Sequence, residues 1–352
     1  MSYSDGWAAI NLEMPDRVPR TEYSAEGHWD LIKKVTGIDV DFNSNQEIKK
    51  LASKQFKKAW NYDFLWNILT YNQIFDGKYT KMGHAEYASG GVDYNNDIKL
   101  LYNNPQDALG FDPWALYGER NKSILVKDFN EHYKKSCENY SDAVNMTGIY
   151  VTCMSGLIEI FGWETMLLAA GMDSEGFGDV TNRYCSWIMQ YFEALAESNA
   201  PVVMIHDDIV WTAGAFLHPD WYRKYIFSNY KKLLAPLIES GKKIIYTSDG
   251  TYTQFIDDIA QCGVNGFVME PTTDMKYIAE KYGKTHVFIG NADTRILLSG
   301  TKEDIRGEVK RCMDIGKSCP GFFMAVGNHI PANTPVENAL YYNEVYEELS
   351  RR

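Results

Sequence analysis

The segment KIIYTSDG, residues 243–250, decides the fold prediction. Its apolar first half is typical of a strand buried on both faces of a parallel sheet, and the polar residues that follow mark the end of that strand. Five further runs of this kind are found at residues 147–152, 202–205, 266–269, 286–289 and 321–326. Longer amphipathic stretches separate the runs, which is the pattern of βα units around a parallel sheet.

Capping residues mark several helix starts. Thr301 with Asp304 predicts the start of one helix, and Thr334 with Pro335 and Glu337 predicts a capping box with proline at the first helical position of another. His218 precedes a long helix that is expected to end near residue 240.

The strand count favours one barrel. Residues 17–23 predict an early strand, while residues 30–35 and 45–61 predict helices. With about eight strands in total, the expected fold is α/β, a (β/α)₈ TIM barrel with a helical N-terminal extension. We expect a single domain over 1–352, with the extension and first strand in 1–110 and the main barrel in 111–352. The alternative is an open doubly wound sheet, but no GxGxxG follows any strand.

Composition excludes several function classes. The 352 residues are 45% apolar and carry a net charge of -12, which is typical of a globular protein whose surface repels nucleic acids and anionic lipids. No signal peptide and no apolar run of ~18 residues is found, so a cytoplasmic protein is expected. The six cysteines form no CxxC pair and are interpreted as isolated thiols. The 14% aromatic content is explained either by core packing or by an aromatic pocket wall.

Polar side chains follow five successive predicted strands. Because the carboxyl ends of barrel strands form the active face, these residues are expected to meet there. A single Asp or Asn at such a place is also explained by helix capping, but five strands together predict a site. The predicted catalytic residues are Asp249, Glu270, Asp207 and His206, and the predicted substrate-binding residues are His84, Tyr87, Trp211, Asn291 and Asn328. Only one of Asp207 and Asp208 is expected to face the cavity, because neighbours on a strand point opposite ways.

Two kinds of chemistry suit the polar residues at this rim of the predicted barrel. Adjacent carboxylates raise one another's pKa, which provides a proton donor beside an ionised base. Alternatively, Asp249, Glu270 and His329 hold a metal such as Zn²⁺, with His206 or His84 as a further nitrogen ligand. No HExxH or GxSxG motif is present, so neither a zinc-peptidase site nor a serine nucleophile is predicted.

Six segments carry a family resemblance. The strings YTSDG (246–250), GVNGFVMEP (263–271), IGNADTRILLSGTKEDI (289–305) and VGNHIPANTPVEN (326–338) resemble the uroporphyrinogen decarboxylase superfamily of (β/α)₈ barrels. This superfamily also contains methyltransferases that serve methyl-cobamide proteins. MPDRVPRTEY (14–23) and KMGHAEY (81–87) are similar to that methyltransferase branch.

Departures from the family patterns narrow the expected activity. The decarboxylases receive the substrate's carboxylates on an RQAGRY-type segment, whereas this chain has only Arg17 and Arg20 in a different arrangement and an acidic rim. The thiol-methylating members hold zinc on a His-x-Cys pair and a later Cys. The corresponding positions here are Thr247, Asp249 and a residue near Asn328 or His329, so neither cysteine ligand is present.

The resemblance therefore implies a demethylating component. Such a protein takes a methyl group from a methoxylated or methylamine compound, here in the first place a methoxylated aromatic compound, and passes it to a separate corrinoid protein. No DxHxxG cobamide motif is present, so the cobamide is expected on the partner. Breaking a methyl ether requires an acid or a Lewis acid such as Zn²⁺ at the leaving oxygen. The expected aromatic wall consists of Trp66, Tyr71, Tyr87, Tyr94, Trp114 and Trp211. The alternatives are a uroporphyrinogen-decarboxylase-like lyase and a non-catalytic binding barrel.

Overall fold

The computed structural model of the protein describes residues 1–23, 25, 27–80 and 99–352. His84, Tyr87 and Tyr94, which the sequence placed at the site, lie outside the described residues. The helices are α1 (Tyr3–Ile10), α2 (Trp29–Thr36), α3 (Gln46–Ala59), α4 (Pro105–Leu109), α5 (Pro113–Tyr117), α6 (Lys122–Asn139), α7 (Met154–Met172), α8 (Ser174–Glu197), α9 (Pro219–Trp221), α10 (Ser228–Glu239), α11 (Ile256–Ala260), α12 (Met275–Tyr282), α13 (Thr294–Ser299), α14 (Lys302–Gly316) and α15 (Val336–Leu349). The strands are β1 (Phe64–Leu65), β2 (Val144–Asn145), β3 (Thr147–Ile149), β4 (Val202–His206), β5 (Val210–Trp211), β6 (Gly214–Ala215), β7 (Lys243–Thr247), β8 (Gly266–Val268), β9 (Val287–Ile289) and β10 (Phe322–Phe323).

The strands close into a barrel. Six of them form one parallel sheet in the order β3-β4-β7-β8-β9-β10, and β1 pairs in parallel with β2, which directly precedes β3. Arg20 completes the ring with parallel bridges to Tyr62 on one side and Met324 on the other. In the described part of the chain this makes eight consecutive parallel positions, so the (β/α)₈ prediction is confirmed. The strand predicted at 17–23 supplies the first of these positions.

Alternation along the strands divides the core in two. Met204, Ile245 and Val268 belong to a cluster inside the barrel, whereas Val203 and Phe267 pack in the layer between strands and helices. The barrel draws its strands from residue 20 to residue 326, so neither half of the chain closes it alone.

Helix α1 closes the amino-terminal end of the barrel. Ala9 and Ile10 belong to the inner cluster and are at most 2% exposed. Gly6 approaches the starts of the neighbouring strands so closely that an added Cβ would lie 2.3 Å from the carbonyl oxygen of Asp63. The glycine is therefore required for this close approach, and the opposite end of the barrel is left for a ligand.

A buried ion pair holds the first strand in the ring. The guanidinium group of Arg20 donates to Glu22 over 3.1 and 3.0 Å and lies 4.3 Å from the ring centre of Trp60. The Glu22 carboxylate accepts hydrogen bonds from the backbone N–H of Val326 (2.8 Å) and the hydroxyl of Tyr342 (2.9 Å). These contacts join the first barrel position to the last one and to helix α15.

Some local predictions need correction. The segment 1–110 contains two barrel positions, in keeping with the one or two early strands expected, but the position of the second, β1, was not predicted. The capping box predicted at Thr334 is wrong, because α15 begins after Pro335 with no side-chain cap. The helix start at Thr301 is confirmed, where Thr301 and Asp304 form a capping box, and the helix start at His218 is confirmed as well. The long helix after His218 is interrupted by π-helical turns over residues 222–227. None of the helices described here combines the length and the apolarity that a membrane span requires.

Candidate active site

A cavity of about 160 Å³ lies at the carboxyl ends of the barrel strands. The first three barrel positions supply its aromatic side, and the later strands supply its polar side. Its described lining consists of Tyr23, Trp66, Ile68, Tyr71, Tyr150, Met204, His206, Thr247, Ser248, Asp249, Val268, Met269, Gly327, Asn328 and His329. We call this cavity the mouth pocket.

His206 and Asp208 form an ion pair at the end of β4. The Nε2 atom of His206 lies 3.2 Å from Oδ1 of Asp208, and its Nδ1 atom lies 3.0 Å from the carbonyl oxygen of Tyr150. Burial opposes a charge on the imidazole, but the carboxylates of Asp208 and Asp249 outweigh it and raise the pKa of His206 to about 9. The imidazole is therefore a cation at neutral pH, and it donates to both neighbours.

Asp249 is a proton donor at neutral pH. Burial and the negative charges of Asp208 and Glu270 raise the pKa of its carboxyl group to about 8, although His206 and a hydrogen bond from Asn328 act in the opposite direction. Asp249 is solvent-exposed at the mouth of the barrel, and it lines the mouth pocket. A ligand in the pocket can therefore reach a neutral carboxylic acid.

Glu270 is held in place by two N–H donors. Its Oε2 atom accepts from the backbone of Gly250 (2.9 Å) and its Oε1 atom from the side chain of Asn328 (2.7 Å). Gly250 has a φ of +79°, and an added Cβ there would lie 2.7 Å from the backbone of Trp211. The glycine at the end of the segment KIIYTSDG therefore allows the turn that presents this N–H to Glu270.

The structure corrects the choice between Asp207 and Asp208. Asp207 is fully buried outside the mouth pocket, where its Oδ1 atom accepts from the backbone N–H groups of Cys153 (3.1 Å) and Ser155 (2.7 Å). Its Oδ2 atom accepts from the hydroxyl of Tyr230 over 2.5 Å. Asp207 thus anchors the start of α7, and Asp208 is the member of the pair at the pocket. Alternation explains this result, because Asp208 lies on the same side of the chain as His206.

Glu270 and three other predicted residues lie outside the pocket lining. Asn291 is 1% exposed, and its Nδ2 atom donates to the backbone carbonyls of Glu270 (3.2 Å) and Thr273 (3.3 Å), so it supports the end of β8. Trp211 is 46% exposed and packs against Trp163 and Phe216. Trp114, also predicted as a wall residue, is 40% exposed on α5. Asn328, His329, Trp66 and Tyr71 do line the pocket.

Two aromatic residues at the pocket were missed. Tyr23 stacks on Trp66 with ring centres 4.7 Å apart, and Tyr150 lies between Tyr71 (4.9 Å) and His206 (3.7 Å). Tyr23 ends the predicted first strand and Tyr150 directly follows β3. Applied to aromatic side chains, the strand-end rule would have found Tyr23, whereas Tyr150 lies inside the predicted run 147–152 and becomes a strand-end residue only because β3 ends at Ile149.

The described residues do not fit a zinc site. Nowhere among them do three or more His, Cys, Asp or Glu side chains come together in a group that could hold a metal ion. Asp249, Glu270 and His329 therefore do not form the predicted ligand set, and both oxygens of Glu270 already accept N–H groups.

No lysine or arginine is found among the described lining residues of the mouth pocket. Arg20 is fully buried beside Glu22, and Arg17 donates to Asp63 (2.6 Å) and to the hydroxyl of Tyr346 (2.8 Å). Neither arginine that the sequence offered for substrate carboxylates is placed to receive them.

Comparison with known proteins identifies the family. The uroporphyrinogen decarboxylase (URO-D) family model matches residues 122–349. The chain belongs to the uroporphyrinogen decarboxylase family. Curated relatives include uroporphyrinogen decarboxylases of Geobacter sulfurreducens, 27% identical over 164 residues (47% of this chain, 46% of the relative), and of Thermus thermophilus, 29% identical over 161 residues (46% and 45%). The chain thus matches about half the length of these relatives.

The whole barrel also has a counterpart of known structure. A methyltransferase from Methanosarcina mazei superposes with a TM-score of 0.66, covers 98% of each chain and is 18% identical. At this identity the likeness establishes the fold. Members of the uroporphyrinogen decarboxylase family are enzymes, and the reaction of this member has to be argued from its own pocket.

Proposed function

We propose that this protein transfers a methyl group from a small methylated compound, in the first place a methoxylated aromatic compound, to the cobamide of a separate corrinoid protein. The observation that carries the proposal is the position of Asp249, which lines a small pocket with an aromatic side and lies beside the carboxylates of Asp208 and Glu270 that raise its pKa.

Asp249 meets the main chemical difficulty of the reaction. A phenolate is a poor leaving group because the corresponding phenol has a pKa of ~10. Asp249 donates its proton to the ether oxygen as the C–O bond breaks, and a donor whose pKa is about 8 is well matched to this transfer near neutral pH. The partner's cobamide supplies the nucleophile that accepts the methyl group. Solvent at the mouth of the barrel then returns a proton to Asp249.

The neighbours of Asp249 keep it in the acid form. The carboxylates of Asp208 and Glu270 disfavour its ionisation, and Asn328 joins Glu270 to Asp249 through hydrogen bonds. His206 balances the charge of Asp208 through their ion pair. The three carboxyl groups therefore have different roles. Asp249 carries the transferable proton, and the negative charges of Asp208 and Glu270 keep Asp249 protonated.

The size of the mouth pocket supports a small methyl donor and a methyl acceptor that stays outside the pocket. The mouth pocket of about 160 Å³ is smaller than the ~300–1,000 Å³ of sites for drug-sized ligands, and a cavity of ~150 Å³ is enough for a benzene ring. One substituted ring fits this volume, whereas a tetrapyrrole or a corrin macrocycle does not. The absence of cationic lining residues in the described chain also disfavours the poly-carboxylate substrate of a uroporphyrinogen-decarboxylase-like lyase.

Two further expectations belong to this proposal. The protein acts in the cytoplasm, where a reduced corrinoid partner is available. Zinc is given no role in the scheme, because the described residues include no group of three or more potential ligands.

The test is a methyl-transfer assay with purified protein. A panel of methoxylated aromatic compounds is incubated with cob(I)alamin, and methylcobalamin is followed by absorbance. Asp249→Asn is expected to slow the reaction by about 10²–10⁴-fold, as is usual on loss of a general acid. Asp293→Asn is the matched control, because Asp293 caps α13 and pairs with Arg295. If no donor yields methylcobalamin, or if the protein decarboxylates uroporphyrinogen instead, the proposal is wrong.

A further inference from the structure

Helix α3 is strongly basic in an acidic protein. It carries Lys49, Lys50, Lys54, Lys57 and Lys58 but only one acidic residue, Glu47, whereas the whole chain has a net charge of -12. Such a concentration of one sign creates a local positive potential that attracts an acidic partner and repels a basic one.

A groove joins this helix to the active site. It has a volume of about 720 Å³, and Trp29, Phe42, Lys49 and Lys54 are among its lining residues. His329 lines both the groove and the mouth pocket, and the next three residues continue along the groove. A molecule bound in the groove therefore reaches the rim of the barrel.

Apolar side chains are exposed among the lysines. Phe42 is 60% exposed and Leu51 is 52% exposed. Lys49 lies over the rings of Trp29 and Phe42 at 5.4 and 5.3 Å. Within the described ranges, neither Lys50 nor Lys54 forms an ion pair. Exposed aromatic and aliphatic side chains within a charged rim are the usual composition of a protein-binding surface.

The arrangement fits a protein better than a small anion. A phosphate is bound by N–H groups that converge on one point, as at a helix N-terminus. The lysines instead extend along a helix of 14 residues, which is ~21 Å long. Nucleic acids and anionic membranes would also meet the negative charge of the remaining surface, whereas an acidic patch on a protein can match the basic surface alone.

We propose that α3 and the adjoining groove are the docking surface for the methyl-acceptor protein, and that the acceptor presents an acidic surface to it. This inference rests on the proposed function, since the acceptor must bring its cobalt to the mouth of the barrel. Lys50 and Lys54 attract the acceptor, and Phe42 and Leu51 form the apolar contact.

Free and protein-bound acceptors separate docking from chemistry. Lys50→Glu with Lys54→Glu reverses two charges on the surface, and Lys231→Glu with Lys232→Glu on α10 makes the same change of net charge on a helix that does not line the groove. Each protein is assayed with free cob(I)alamin and with the purified corrinoid proteins of the source organism in the reduced state, at low and high salt.

The docking variant is expected to match the wild type with free cob(I)alamin. With a corrinoid protein its kcat/KM is expected to fall about ten-fold or more at low salt, while the α10 variant changes little. Added salt should slow the wild type and narrow the difference from the docking variant.

Failure of the docking inference and failure of the proposed function give different results in these assays. If the wild type methylates both kinds of acceptor and the docking variant does so equally well, the docking surface is wrong and the proposed function stands. If free cob(I)alamin is methylated but no corrinoid protein is, the docking surface is again wrong. If neither acceptor is methylated with any donor, the proposed function fails and the docking surface with it.

Discussion

The Oδ1 atom of Asp208 lies 3.2 Å from Nε2 of His206, and the same oxygen accepts a hydrogen bond from the backbone N–H of Asp249 over 2.9 Å. One carboxylate thus acts on both titrating groups of the mouth pocket. It raises the pKa of His206 by attraction and that of Asp249 by repulsion. The site is therefore expected to respond to pH as a coupled unit.

Methyl transfer from an ether donor should decline as the pH rises through about 8, because Asp249 then loses the proton that it must donate. In Asp208→Asn the alkaline limit should move to lower pH by about one unit, since Asp249 has lost a negative neighbour. The pH dependence of kcat/KM measures both limits. An unchanged limit in Asp208→Asn would show that Asp249 does not control the rate.

Asp249→Asn should stabilise the folded protein at alkaline pH. The folded-state pKa of Asp249 is about 8 against an ordinary value of 3.8, so between these values the folded protein retains a proton that the unfolded chain releases. The free energy of unfolding therefore falls as the pH rises from 3.8 to about 8. Above about pH 8 the wild type has lost the full amount. After allowance for screening by solvent in the pocket, the expected gain at pH 9 is about 1–2 kcal/mol. Urea unfolding at pH 5 and pH 9 measures it. A gain that is larger at pH 5 would contradict the assignment.

Substitution by alanine should lower the stability of the protein more at Asp207 than at Asp208. Asp207→Ala removes the acceptor for two backbone N–H groups and a tyrosine hydroxyl in the core, with an expected loss of about 3 kcal/mol or more. Asp208→Ala removes the counter-ion of the buried His206, but the imidazole can release its proton and Asp249 loses a negative neighbour, so the expected loss is smaller, about 1–2 kcal/mol, and activity should fall. Denaturant unfolding of the two variants, with methyl transfer measured in parallel, provides the comparison. Similar losses of stability would show that the two roles are not separate.

The buried pair of Arg20 and Glu22 should behave as a unit. Arg20→Leu leaves a buried carboxylate without its cation and is expected to cost about 3–5 kcal/mol. The double variant, Arg20→Leu with Glu22→Leu, should recover part of that loss because no unpaired charge remains. Chemical denaturation of the wild type, both single variants and the double variant completes the cycle. Additive losses would indicate that the two side chains act independently.

The barrel and half of its site could be predicted because strand ends are visible in the sequence. Asp249, Glu270 and His206 each follow an apolar run, and parallel strands must bring such residues to one edge. Choosing Asp207 beside His206 contradicted the alternation of side chains, which permits His206 and Asp208 on one face. That error could have been avoided from the sequence alone.

Other features depend on distant partners. The sequence predicts a strand around Arg20, but its place between the second and the last barrel positions is defined only by its bridges to Tyr62 and Met324. The run that contains β1 is only two residues long as a strand, and its pairing with β2 crosses about 80 residues of chain. The raised pKa of Asp249 likewise depends on Asp208 and Glu270, whose distances from it are set by the closed ring.

Helix α1 also constrains the order of events. Because Ala9 and Ile10 fill the barrel from the amino-terminal side, the methyl donor and the methyl acceptor must use the same entrance. A corrinoid protein bound at that entrance would retain a ligand that is already in the pocket and would block the entry of another. The proposed function therefore implies a compulsory order, in which the donor binds before the acceptor docks and the demethylated product leaves after the acceptor.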